Sequence, residues 1–293
     1  MNRSDGMNRK PMTVLRWIVT VITPQAVPFR KLTGVMILVT VAMTALFAPL
    51  LAPHDPVATD IPYQLPSWRH LLGTNDLGRD VFSELIYASR VALAVGFVSG
   101  FLATFIGVIV GVPAGYFGGW VEEFLMGITD VLLLIPGLPL MIILAAHLTP
   151  SMWNIIAVIS LLWWCPTARL VHARVLQVRG TPFIESTRAL GYANLYIIRR
   201  HILVNVMELV HARFTLTAAS AMVAEASLSF LGLGDPLTPS WGEMIHFAFS
   251  RGGFANDMWW WYLPPGLMIS ITVLGLLMLA KGCKKDPKLP GMI

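Results

Sequence analysis

The chain has 293 residues, of which 56% are apolar and 13% charged, and it carries a net charge of +5 with a mean hydropathy of +0.68. A soluble domain is about a quarter charged, so a protein this short of charge could not cover its own surface in water, and an ordinary soluble enzyme is excluded. Two cysteines, Cys165 and Cys283, supply neither a disulfide framework nor a Cys/His metal spacing. The Lys and Arg residues fall in clusters between apolar runs, which excludes nucleic acid as the reason for the positive charge.

A membrane-crossing helix needs about 20 apolar residues, because the hydrocarbon core is about 30 Å thick and each residue rises about 1.5 Å. Six such runs are predicted. The first covers 32–52. It exceeds a signal-peptide core and ends without a small-x-small cleavage site, so it reads as a retained anchor. The second lies between Arg90 and Glu122, with Pro113 and Gly118-Gly119 marking its exit. Within it, Gly96 and Gly100, and then Gly107, Gly111 and Gly115, recur four apart. Such small-residue stripes suit close helix packing, either inside this chain or against another one. Between Glu123 and Arg169 the single charge is Asp130; the stretch is too long for one span, and a break near Pro150 divides it into the third and fourth. The fifth covers 206–231 and contains Glu225, and the sixth covers 259–280. A carboxylate at membrane depth is costly, so Asp130 and Glu225 each either line a polar path or pack as hydrogen-bonded residues.

Lys and Arg placement sets the orientation. Segment 1–31 holds Arg3, Arg9, Lys10, Arg16, Arg30 and Lys31; segment 169–201 holds Arg169, Arg174, Arg179, Arg188, Arg199 and Arg200; the tail holds Lys281, Lys284, Lys285 and Lys288. The loop 53–88 holds Arg69 and Arg79, and the loop 232–258 holds Arg251. Both termini and 169–201 are therefore expected in the cytoplasm. The organisation that follows is a cytoplasmic N-terminal segment 1–31, a first span with its external loop 32–88, a five-span core 89–280, and a cytoplasmic tail 281–293.

The segment 181–201 is too short and too polar to span. Thr181 can cap a helix N-terminus and Pro182 suits its first position, while Gly191 is placed to end the helix in a left-handed conformation. A second short amphipathic helix, 195–201, follows. The run Glu185-Ser186-Thr187-x-x-x-Gly191, with His201-Ile202-Leu203 behind it, resembles the EAA loop of ABC-importer permeases. Ser186 and Thr187 replace the usual alanines, and Val204 stands where that family has Pro. Three further stretches resemble the oligopeptide/dipeptide/nickel permeases of second-subunit type: Pro66-Ser67 with His70-Leu71-Leu72-Gly73-Thr74-Asn75-Asp76-Leu77-Gly78-Arg79-Asp80; Gly115-Tyr116-Phe117-Gly118-Gly119-Trp120; and Ala224-Glu225-Ala226-Ser227-Leu228-Ser229-Phe230-Leu231-Gly232-Leu233-Gly234 with Pro239-Ser240-Trp241-Gly242. Together they cover about residues 30–275. The tail departs from the family and keeps only Asp286-Pro287 of its usual ending.

The resemblance implies an all-α membrane protein with the type I ABC-importer permease fold, six transmembrane helices and both termini cytoplasmic. It implies that 181–201, through Glu185, Ser186, Thr187, Ala189, Leu190 and Gly191, fits a cleft on a cytoplasmic ATPase. The implied assembly has a second homologous permease subunit, two ATPase subunits, an external solute-binding protein and surrounding lipid, in a bacterial or archaeal cytoplasmic membrane. The chain has no phosphate-binding Gly-x-x-x-x-Gly-Lys-[Ser/Thr] loop, no catalytic triad and no metal-ligand spacing; His147, His172, His201, His211 and His246 are scattered. It is read as a transport subunit and not an enzyme, with no cofactor of its own and ATP and Mg on the partner. Peptide import is the favoured reading and nickel or metal-chelate import the alternative. An ion-coupled secondary transporter is the rival class, with Asp130 and Glu225 its sole support.

Overall fold

The computed structural model describes residues 26–281. The basic residues of 1–25 and 282–293, and Cys283, lie outside the described residues. Those described form helices joined by loops, the longest being 52–80, with no strand among them beyond an isolated bridge between Thr74 and Asp80.

Helix α1 (Ala26–Leu46) and the short α2 (Ala48–Leu51) make the first span. Helix α3 (Val81–Phe117) has 37 residues, a length of about 55 Å against a hydrocarbon core of about 30 Å, so it projects beyond the bilayer. It begins earlier than the charge pattern suggests, because Arg90 lies within it: the Arg90 Nε donates to the Ala45 carbonyl at 2.7 Å, which satisfies the guanidinium beside the end of α1. The Asp80 carboxylate caps the helix by accepting from the Ser83 N–H. Pro113 sits inside the helix, and Gly118, at φ +69, ends it.

Helices α4 (Gly119–Leu134) and α5 (Gly137–His147) are bent by 87° against each other. The cause is local: Pro136 restricts the residue before it, and Ile135 is extended at φ −82, ψ 129. This break adds to the predicted one near Pro150, which is also present. Helices α6 (Met152–Trp163) and α7 (Cys165–Arg179) run on as one 28-residue apolar stretch, so Arg169, Arg174 and Arg179 lie on a helix and not in the predicted loop. After α8 (Pro182–Ala189), helix α9 (Asn194–Ile197), a π-helical turn (Ile198–Ile202) and α10 (Leu203–Phe230) form a continuous helix. The predicted separate helix 195–201 is thus the first part of the fifth span, and Val204, lacking the restraint of Pro, lets the helix pass through. Helices α11 (Trp241–Ser250) and α12 (Trp259–Lys281) follow. Five stretches are long and apolar enough to cross a membrane, and the bent α4–α5 pair makes a sixth when its two helices are counted as one span.

Helix α3 is the spine, flanked by α7 and α10. Gly96 and Gly100 face Met222 and Ala218 of α10, while Gly107, Gly111 and Gly115 face Thr167, Val171 and Val175 of α7. A Cβ on Gly107 would come within 2.6 Å of the Thr167 Cβ. The glycine stripes therefore serve contacts inside this chain, where close backbone approach replaces the hydrophobic driving force that lipid cannot supply.

The loops gather at two ends. Arg179 Nη1 donates to the Gly115 carbonyl, bringing the Gly118 turn beside the loop after α7. At the other end Arg251 bonds Asp76, and Trp241 Nε1 donates to the Leu85 carbonyl at 3.0 Å. These tie 53–80 to 231–258 over the head of α3.

Candidate coupling surface and charged face

At the Gly118 end, α8 starts without the predicted side-chain cap. The Thr181 hydroxyl turns back to donate to the Val178 carbonyl at 2.8 Å, and the Thr181 carbonyl accepts from Ile184 and Glu185. Pro182 occupies the first turn, as predicted. Helix α8 ends where Gly191, at φ +80, enters the left-handed region and donates its N–H to the Arg188 carbonyl. An ideal Cβ at Gly191 meets nothing within 4 Å, so the glycine is needed for its backbone conformation and not for space.

One face of α8 is anchored. Ile184 and Thr187 are buried, Ile184 in a cluster with Tyr116, Val175, Ile197 and Ile202. The Tyr116 hydroxyl bonds the Asn194 side chain at 2.9 Å, and the Arg188 guanidinium sits 5.2 Å from the Tyr116 ring centroid. The other face is open. Glu185, Ser186, Ala189, Leu190 and Gly191 are exposed, Leu190 to 76% and Phe183 beside them to 61%. Of the six loop residues singled out from the sequence, Thr187 alone is tucked in, its hydroxyl donating to the Phe183 carbonyl.

Deeper along the helices, Asp130 Oδ1 lies 2.7 Å from Arg169 Nη2. Asp130 stands about 16 Å from the start of α4, and Arg169 about 15 Å from the end of α7, so both sit at the same membrane depth. Their side chains are 47% and 58% exposed, on a face that lipid would not tolerate bare. Near Thr167, two residues away on α7, is Arg213, which the sequence reading passed over. Its Nε donates to the Thr167 hydroxyl at 3.2 Å, and it lines a cleft with Trp163, Pro166, Thr217 and Ser220. Among the described residues no carboxylate pairs with Arg213. The signal was available, because Arg213 is the sole Arg in the 206–231 run.

Glu225 is elsewhere. It is buried five residues from the end of α10, and its Oε1 accepts from the Ser229 hydroxyl at 2.8 Å. It belongs to the Asp80 end, near Glu243, not with Asp130. Glu243, on α11 outside the spans, is pushed up to about 8 by burial first and then by the neighbouring Glu84, Asp235 and Glu225 charges, with Arg79 opposing.

Residues 103–282 match the model of the binding-protein-dependent transport system inner membrane component. The chain belongs to that family. This permease is 34% identical over 92% of its length to the dipeptide transport system permease protein DppC of Alkalihalophilus pseudofirmus, covering 92% of that chain. It is 34% identical to the Bacillus subtilis DppC over 87% of its length and 81% of the relative's. It is equally similar, at 34% over 89% and 87%, to the glutathione transport system permease protein GsiD of Escherichia coli O157:H7. The permease is therefore a multi-pass transport subunit of an ABC importer, a class that works with an ATPase, which hydrolyses the ATP, and with a binding protein.

Proposed function

We infer that this permease imports short peptides across the bacterial cytoplasmic membrane as one of two homologous permease subunits. Two ATPase subunits dock at the α8 end, and a solute-binding protein delivers substrate at the Asp80 end. The observation that carries the reading is the exposed apolar edge of α8, with Phe183 and Leu190 bare on a water-side helix whose opposite face is locked by Ile184. Arg174, Arg179, Arg188, Arg199 and Arg200 gather at this end, which supports a cytoplasmic orientation for it. The relatives' names, dipeptide and glutathione transport, support a peptide substrate. ATP and Mg reside on the partner ATPase.

Glu185, Ser186, Ala189, Leu190 and Gly191 form the surface that receives the ATPase, with Thr187 fixing it from behind. Closure of the ATPases moves α8. The loaded binding protein and ATP each favour one of two permease states by binding it better, and so shift one equilibrium. Asp130, with Arg169, lines the path; Glu225 holds the outer end of α10 together.

The test is transport by the assembled complex. Gly191→Val forces a β-branched residue into a left-handed conformation, at a cost of about 1–2 kcal/mol, and uptake of a labelled dipeptide is expected to fall about 10-fold. Unchanged uptake would remove the turn from the mechanism. Uptake of nickel ion and not dipeptide by the unmodified complex would overturn the peptide assignment.

A further inference from the structure

Three side chains distant in sequence converge at the Asp80 end. His54 follows the first span, His70 lies in the loop, and Asp80 heads α3. The ligand-capable atoms of His54, His70 and Asp80 lie within 4.8 Å of one another. His70 Nδ1 is 2.9 Å from Asp80 Oδ1, and His54 Nδ1 is 3.9 Å from Asp80 Oδ2. The two imidazoles stack with centroids 4.7 Å apart.

The surroundings are those of a built site. His54 Nδ1 is a buried ring nitrogen with no hydrogen-bond partner, a condition that calls for a ligand. The other side of His70 faces a carboxylate, with Nε2 lying 3.4 Å from Asp60 Oδ2. Asp60 is in turn held by Arg69 Nη2 at 2.9 Å. A carboxylate on the far ring nitrogen directs the near one toward a metal. The Asp80 Oδ2 is oriented by the Ser83 N–H and hydroxyl at 2.8 and 2.7 Å. The Ser83 Oγ also accepts the His54 backbone N–H at 3.2 Å. His70 and Asp80 are thus fixed by groups outside the cluster, while His54 is held through its backbone alone.

We propose that His54, His70 and Asp80 bind one divalent transition-metal ion, zinc by preference. Two imidazoles and a carboxylate suit Zn²⁺, at bond lengths of about 2.0–2.2 Å. Tetrahedral bonds of that length set ligand atoms about 3.3 Å apart, and the three ligand atoms here, within 4.8 Å of one another, need only draw together around an ion. His54, with its side chain 34% exposed, is the ligand able to move in and leaves the fourth position to water. The ion would clip the exit of the first span to the head of α3.

The experiment uses the purified transporter complex, stripped with a chelator and then equilibrated with zinc sulfate alone. Metal content per complex is expected to be one zinc higher for the unmodified chain than for His54→Ala or His54→Phe, the latter keeping a ring in the stack. Zinc is expected to raise the thermal midpoint of the unmodified complex and not of the variants. Asp60→Asn is expected to weaken zinc binding about 10- to 100-fold. Equal zinc content in the unmodified complex and both His54 variants overturns the proposal. So does a zinc-edge absorption spectrum of the unmodified complex that lacks imidazole scattering. Neither readout depends on what the permease transports.

Discussion

The two ends of the molecule solve the problem of polar backbone and charge in opposite ways. At the Asp80 end each loop arginine faces an acid: Arg69 with Asp60, Arg79 with Glu84, Arg251 with Asp76. Loop backbone is claimed as well, since the buried Asn75 side chain accepts from Leu77 and Arg79 and donates to Glu84. At the α8 end no arginine of 174–200 pairs with an acid among the described residues, and Phe183, Leu190 and Leu195 stand exposed. The first surface pairs its loop arginines with its own acids and leaves His54 Nδ1 without a partner, and the second is complementary to something else. A surface that leaves apolar area and positive charge open gains a great deal from a partner of matching chemistry.

The sharpest way to break the contrast is Gly78→Val. Gly78 has φ +75, and a Cβ there would overlap the Asp60 carbonyl oxygen, so strain and clash coincide. Recovery of intact complex by size-exclusion chromatography is expected to fall more than about 10-fold, a loss in the class of 4 kcal/mol or above. Leu190→Asp should do the reverse. It removes exposed apolar area without touching the anchored face, so the thermal midpoint of the permease stays while ATPase association weakens by about 2 kcal/mol, measured by co-purification at graded concentrations.

A smaller effect follows from Glu243. With its carboxyl raised to about 8 in the fold and ordinary once unfolded, the folded state holds a proton that unfolding releases. Its stabilising contribution is complete below the unfolded value and is lost as pH rises through about 8. The thermal midpoint of the complex is expected to decline from pH 5 to pH 8, and Glu243→Gln should flatten that decline. Smallest of all is Arg251→Ala, which breaks one partly exposed ion pair and should cost about 1 kcal/mol or less, with the difference shrinking in high salt.

Most of this architecture was legible in the sequence because hydrocarbon imposes a length on each apolar run. Segment lengths point to six crossings, of which five are long apolar helices and the sixth is the bent α4–α5 pair counted as one span, and Pro182 and Gly191 mark both ends of α8. The errors share a cause. The charge pattern makes Arg90 and Arg169 span boundaries and puts Arg174 and Arg179 in a loop, because it equates charge with loop. Helices in this protein extend past the bilayer, and long side chains on them find carbonyls, as Arg90 finds that of Ala45. The bend at Pro136 was hidden among apolar residues on both sides, which a charge count does not interrogate. The meeting of His54, His70 and Asp80 had no sequence signal, since irregular loop backbone brings them together with no periodic spacing.

That bend has a further consequence. Where α4 stops and α5 starts, at Ile135 and Pro136, a helix end and a helix beginning are stranded inside an oil-like medium. Amide and carbonyl groups that a continuous helix would close on themselves are left without intrahelical partners, and acyl chains would offer them nothing. On its own in a bilayer, the subunit would carry an unhealed seam along this flank. Only water in a conduit, or the body of a neighbouring polypeptide, can seal it, so the bend marks where this chain stops being self-sufficient.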